Sequence, residues 1–222
     1  MAILPGIGGI TAISRGRVTS VSFQASATSL TETVTIPASA LAGDLAVLLD
    51  IAQTESDPAP AEFVPTGFTK VATTANRLRM IASYRVLTGS PGGTSITGLN
   101  STYEAKVLLV FRPNRQINSV IASTWNAEGA GANVDPASQT VVASGEAAPL
   151  ICFGAAGRSG TTPPAYTTNS PALTSITVGG TARSLRFGYR IDNSSPSNQS
   201  VDIGAGGSGV WVALASGFLR LT

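Results

Sequence analysis

The residues in this sequence that could carry out chemistry are few, and the first to consider are four carboxylates near predicted strand ends: Asp44, Asp50, Asp192 and Asp202. A glycosidase needs two carboxyl groups that face each other across a cleft. Nothing in the spacing pairs any two of these, and Asp44 follows Gly43 as a turn residue does. The sequence has no histidine, which excludes Ser-His-Asp and Cys-His nucleophiles and most zinc sites. We therefore predict no enzyme activity, no catalytic residue and no metal.

Two further motifs resemble reactive sites only weakly. Gly204–Gly209 matches G-x-G-x-x-G, but a dinucleotide site needs a helix after the glycines, and here an apolar run typical of a strand follows. We expect a flexible hairpin loop and no cofactor. The single cysteine, Cys152, lies in the apolar run 150–153 and is predicted to be a buried, unreactive thiol.

Arginine and aromatic side chains leave two binding possibilities open. The arginines lie on two predicted strands and could hold the carboxylates of a neighbouring chain, bind an acidic glycan, or form a solvated face: Arg77, Arg79, Arg85, Arg183, Arg186 and Arg190. Four aromatic residues could stack on sugar rings: Tyr103, Trp125, Tyr166 and Trp211. Because only 6% of residues are aromatic, we expect these four to pack in the core.

The element that must organise these residues is the run 43–52, Gly-Asp-Leu-Ala-Val-Leu-Leu-Asp-Ile-Ala. Its length and its Val, Leu and Ile content predict a strand buried on both faces. A similar pattern returns about 105 residues later, where the same offset aligns Tyr84-Arg85-Val86 with Tyr189-Arg190-Ile191. The sequence therefore indicates an internal repeat, approximately 30–113 and 135–219.

The rest of the chain predicts an all-β protein. Short alternating runs such as 18–23, 32–36 and 78–87 are separated by turn signals, and no segment has a sustained helical period. We predict a jelly-roll-like β-sandwich in which two duplicated halves close over one core, so that residues 18–222 form a single domain. Residues 128–136 are expected to be a Gly/Ala-rich loop.

The first seventeen residues are predicted to be an extended arm. Proline and glycine disfavour regular structure there, yet several aliphatic side chains are costly to leave in water. We expect the arm to dock on a neighbouring subunit, with assembly contacts from Ile3, Leu4, Pro5, Ile7, Ile10, Arg15 and Arg17. The alternatives are packing against its own domain and disorder. The arm lacks the basic leader of a signal peptide, and no segment is predicted to enter a membrane.

Composition narrows the possible partners. Charged residues make up 12% of the chain and the net charge is +2, which does not favour nucleic-acid binding. Nearly all basic residues are arginine, which suits packed interfaces. The loops 53–67 and 157–170 are expected to face outward, exposing Glu55, Asp57, Glu62, Arg158 and Tyr166.

Several short runs resemble a family of phage and prophage proteins that are often encoded near tail genes. They are 34–38, 43–47, 84–87, 110–113, 188–191 and 216–219. The resemblance implies a virion component, in contact with other virion proteins and copies of itself. We expect a non-enzymatic tail-tip or fibre-associated protein that could touch a host-surface glycan. One alternative is a capsid decoration protein, which the same features fit. The other is a carbohydrate-binding module that would depend on Trp125 or Trp211.

Overall fold

The computed structural model of the chain describes residues 17–53, 61–74, 78–99, 104–122, 126–130, 139–143, 149–170, 172–180, 182–194, 199–205 and 212–222. In these ranges the secondary structure is β only. The first half holds β1 Val21–Ser29, β2 Val34–Thr35, β3 Leu45–Gln53, β4 Thr69–Thr73, β5 Leu78–Val86, β6 Ser95–Ile96 and β7 Ala105–Pro113. The second holds β8 Val120–Ala122, β9 Asn126–Ala130, β10 Gln139–Ala143, β11 Leu150–Ser159, β12 Tyr166–Ser170, β13 Thr174–Gly179, β14 Arg183–Asp192, β15 Gln199–Ala205 and β16 Val212–Leu221.

Two large antiparallel sheets form the body of the protein. The first has the strand order β1-β7-β3-β5-β4, and the second has the order β13-β14-β11-β16-β8, with β9 also paired to β16. The sheets stack face to face, with β1 over β13, β7 and β3 over β14, β5 over β11 and β16, and β4 over β9. The prediction of an all-β sandwich is therefore confirmed.

The main core lies between the two sheets. Strand β3 contributes Leu45, Val47, Leu49 and Ile51, which pack against side chains of the second sheet such as Phe153. Aromatic rings join the layers, because Phe23 stacks on Tyr189 with ring centroids 4.7 Å apart. Residues 45–52 are all buried, as expected for a strand covered on both faces.

Each large sheet also carries a smaller layer on its outer face. Strands β2 and β6 pair and cover the first sheet, where Ile36 and Ile96 pack against Leu48. Strands β10, β15 and β12 form a three-stranded sheet over the second, where Val201 and Ile203 pack against Cys152. The central strands are buried on both faces because a layer covers each side.

The strands that share the offset of about 105 residues occupy equivalent places. β3, β5 and β7 are next to one another in the first sheet as β11, β14 and β16 are in the second. Under the same offset β1 corresponds to β9, and β4 corresponds to β13. The contact of β1 with β13 is therefore matched by the contact of β9 with β4. The two halves are thus related by an approximate two-fold arrangement within one chain.

Two predicted loops are wrong in part. Residues 128–130, expected in a Gly/Ala-rich loop, belong to β9 and pair with β16, where Gly129 lies opposite Ala213 and Ala130 lies opposite Val212. The expected outward loop 157–170 contains the end of β11 and all of β12, which leaves 160–165 as the connection. Among the described residues there is no helix that is apolar and long enough to cross a membrane.

Candidate functional site

A surface cavity lies at one end of the first sheet, and an ion pair forms its floor. Arg112, near the end of β7, donates from Nε to Oδ1 of Asp44 at 2.9 Å and from Nη2 to Oδ2 at 2.8 Å. The Asp44 side chain is 2% exposed and that of Arg112 is 33% exposed. The hydrogen bond to Asp44 raises the pKa of Arg112 above its usual value, so the guanidinium stays charged.

A tight turn before β3 positions Asp44. Gly43 has a φ of 90°, a left-handed conformation that favours glycine. The turn is closed by the Leu41 amide, which donates to Oδ2 of Asp44 at 2.8 Å, and by two backbone hydrogen bonds between the turn and Leu87. The wall of the cavity is therefore fixed by hydrogen bonds at the starting end of β3.

The cavity has a volume of about 530 Å³ and a mainly apolar lining. We call it the end pocket; it is lined by residues 41–44, 86–89 and 112–117. Leu41 lies in its wall with 56% of its surface exposed. Because Arg112 neutralises Asp44, the floor carries a compensated charge. The end pocket can accept an apolar peptide segment or a small apolar ligand.

The chain enters the sandwich beside the end pocket. Asn114, a lining residue, accepts hydrogen bonds at Oδ1 from the amides of Thr19 (3.1 Å) and Ser20 (3.2 Å). The backbone amide of Asn114 donates to the carbonyl oxygen of Ser20 at 3.0 Å. Val18 is fully buried in the main core, whereas Arg17 is exposed. Thr19 and Ser20 are thus held at the rim of the end pocket.

The other carboxylates singled out in the sequence do not join Asp44. Asp50 lies six residues further along β3, about 20 Å away. It is buried with Lys106, whose Nζ is 3.6 Å from Oδ1 of Asp50 and also contacts Glu104. Asp192 accepts hydrogen bonds from Ser194, and Asp202 lies on β15 in the outer layer. The described residues therefore bring no two of these four carboxylates together across a cleft.

Metal and thiol chemistry find little support in the described part of the chain. No group of three or more His, Cys, Asp or Glu side chains there could hold a metal ion. Cys152 is a free, fully buried thiol, as predicted. Burial raises its pKa to about 12, so that it remains protonated at neutral pH.

Four arginines lie on the faces of β5 and β14 away from the main core, namely Arg79, Arg85, Arg186 and Arg190, whereas Arg183 lies on the core side of β14. Arg85 stacks over the ring of Phe68, with its guanidinium carbon 5.0 Å from the centroid. Arg186 donates to the carbonyl oxygen of Pro164 at 2.6 Å and to Oγ of Ser175 at 3.0 Å. Arg79 pairs with Glu62, Arg190 lies 3.8 Å from Asp192, and Arg183 is 9% exposed. Arg77 lies outside the described residues.

The predicted outward-facing residues have mixed outcomes. Glu62 is exposed and binds Lys70 at 2.5 Å. Arg158 instead lies in the central strand β11. The prediction that Tyr166 lies in an outward loop is wrong, because the residue lies in β12. Its hydroxyl donates to the carbonyl oxygen of Gly154 at 2.8 Å, and its ring packs under Arg186. Burial raises the pKa of Tyr166. Glu55 and Asp57 lie outside the described residues.

The remaining sequence predictions fall largely on residues that the structure does not describe. Of the seven predicted assembly contacts, only Arg17 is described, and Ile3, Leu4, Pro5, Ile7, Ile10 and Arg15 are not. Tyr103, Trp125 and Trp211, three of the candidate sugar-stacking residues, also lie outside the described ranges. The sequence does not predict the end pocket, because its local pattern indicates Asp44 only as a strand-end carboxylate or a turn residue. The available signal was an arginine followed by Pro113 at the end of an apolar strand.

Comparisons of this chain with protein-family models, with curated proteins and with solved structures found no match.

Proposed function

We propose that this protein is a non-enzymatic structural subunit of a phage particle, at the tail tip or associated with a fibre. Its partners would be copies of itself and other virion proteins, with a possible contact to a host-surface glycan. The proposal starts from the resemblance of the sequence to phage and prophage proteins. It also draws on the low share of charged residues, 12%, which suits a surface that is covered by other chains.

The observation that carries the proposal is the start of the described chain. Thr19 and Ser20 are fixed on Asn114 at the rim of an apolar pocket, and the aliphatic N-terminal arm precedes them. An arm of this composition, attached to a layered sandwich, is suited to anchoring the sandwich on a neighbouring subunit. The stacked layers and their three apolar clusters would supply the rigid body of such a subunit.

Electron cryomicroscopy of purified phage particles tests this proposal. We expect density for the sandwich at the tail end. Density over the capsid lattice would replace the tail position with that of a decoration protein, and absence from particles would overturn the structural role. A second experiment uses particles that are assembled with a chain lacking residues 2–17. We expect these particles to lose the protein, whereas normal incorporation would mean that the arm is not the anchor.

A further inference from the structure

We infer that the end pocket is the receptor for the N-terminal arm of a second copy of this chain. Assembly would then proceed by arm exchange, in which each sandwich receives its neighbour's aliphatic segment. This inference rests on the proposed structural function and names the surface through which copies of the subunit associate.

The chemistry of the two partners matches. The arm carries Ile3, Leu4, Ile7 and Ile10, and its only charged residues are Arg15 and Arg17 at its end. The end pocket is mainly apolar, and Leu41 is exposed in its wall. Covering Leu41 with aliphatic side chains would remove apolar surface from water on both partners. Because Asp44 is already paired with Arg112, the incoming segment would bury no unpaired charge at the floor.

The geometry favours exchange between copies. β1 runs antiparallel to β7, and Val21 at the start of β1 lies opposite Pro113 at the end of β7. The residues just before β1 therefore lie beside those just after β7, where Asn114 hydrogen-bonds to Ser20. These residues lie beyond the end of the sheet. The seven positions from Ile10 to Arg17 can span at most roughly 25 Å, a reach long enough to meet a neighbouring sandwich. The same end of each sandwich thus holds both the pocket and the start of the described chain at Arg17.

A disulfide-trapping experiment on the full chain tests the pairing. Cys152 is fully buried, so that new surface cysteines can be trapped selectively. The double variant Ile7→Cys with Gln116→Cys places one thiol in the arm and one at an exposed lining position of the end pocket. Under mild oxidation we expect covalent dimers and larger species on a non-reducing gel. Cross-linked monomers would show that the arm occupies its own pocket, and uncross-linked chains would show that it does not enter the pocket; either result overturns arm exchange.

The control for trapping keeps the arm thiol and moves the second one. Thr28 is exposed on β1 and lies opposite Val107, near the other end of the first sheet. The pair Ile7→Cys with Thr28→Cys should give far fewer covalent dimers than the pair with Gln116→Cys. Equal yields from the two pairs would show that the cross-links come from random collisions, which also overturns the inference.

A charge substitution in the end pocket provides an independent readout. Leu41→Asp should raise the dissociation constant for self-association by tenfold or more, on the order expected for a lost buried leucine, as measured by analytical ultracentrifugation. The matched control is Leu30→Asp, because Leu30 is similarly exposed (45%) and lies outside the end pocket. If Leu41→Asp associates like the control, the pocket is not the receptor. If Leu41→Asp still enters particles but the chain without residues 2–17 does not, the arm anchors elsewhere and only the proposed structural function stands.

Discussion

Ile51 of β3 lies directly against the backbone of Gly157 in β11, across the interface between the two large sheets. A Cβ atom at position 157 would overlap Cδ1 of Ile51, and its next contact would be Cγ1 of the same side chain at 3.4 Å. Both residues belong to central strands, one from each half of the repeat. At this point the absence of a side chain on one strand sets how closely the two halves approach.

The variant Gly157→Ala should therefore destabilise the protein by about 2 kcal/mol, since an added methyl group overpacks a closed core. In an Ile51→Val background, which removes Cδ1, the same change should cost less than about 1 kcal/mol. Urea unfolding of the wild type, both single variants and the double variant measures the coupling. If the losses of stability in the two single variants simply add in the double variant, Cδ1 of Ile51 is not what excludes a side chain at position 157.

The ion pair between Asp44 and Arg112 should contribute to folding as well as forming the floor of the end pocket. Asp44→Ala is expected to lower the free energy of unfolding by about 2 kcal/mol, because it frees the guanidinium and the Leu41 amide together. Arg112→Lys should cost less, since an ammonium group keeps the charge but cannot make both hydrogen bonds. Denaturant titration measures whether Asp44→Ala costs more stability than Arg112→Lys. An Asp44→Ala variant as stable as the wild type would contradict the prediction.

Lys106 and Lys70 provide a comparison between a buried and an exposed ion pair. The side chain of Lys106 is fully buried between Asp50 and Glu104, whereas that of Lys70 is 42% exposed beside Glu62. Lys106→Met should cost about 3 kcal/mol, because it leaves two buried carboxylates without their shared cation. Lys70→Met should change stability by less than about 1 kcal/mol. Similar losses in both variants, measured by thermal and urea unfolding, would disprove this assignment.

Cys152 predicts a loss of stability at alkaline pH. Burial raises the pKa of its thiol from 9.0 to about 12, so the folded state favours the protonated form. Stability from this group is complete below pH 9 and is lost as the pH rises from 9 toward 12. Burial also raises the pKa values of Tyr166 and Tyr189, which adds a loss in the same direction at higher pH.

The variant Cys152→Ala separates the thiol from the tyrosines. We expect its unfolding midpoint to fall less steeply between pH 9 and 11 than that of the wild type, whose tyrosines are the same. A thiol reagent at pH 8 should react fully only after denaturation, because the folded thiol is both protonated and buried. Rapid reaction of the native protein, or identical pH profiles, would contradict the burial of Cys152.

The amino-acid sequence by itself determined the all-β class, the buried central strands and the burial of Cys152. Alternating or continuous apolar runs and turn residues such as Gly43 act over a few neighbouring positions, so they can be recognised locally. β3 spans Leu45–Gln53 and so overlaps the strand predicted in the run 43–52. The strand β9 escaped prediction, because Gly and Ala form a strand there only when β16 lies beside them.

Only the tertiary structure decided what the polar residues do. Asp44 meets Arg112 across 68 positions of sequence, a pairing that depends on β3 and β7 being neighbours in the first sheet. The sequence allowed Tyr166 either a packed position or an outward loop, and the structure packs it under Arg186, since β12 is held by β15. The end pocket exists because three strand ends and the entry of the chain converge there. Contacts of this kind arise from the packing of distant segments, which no local pattern in the sequence encodes.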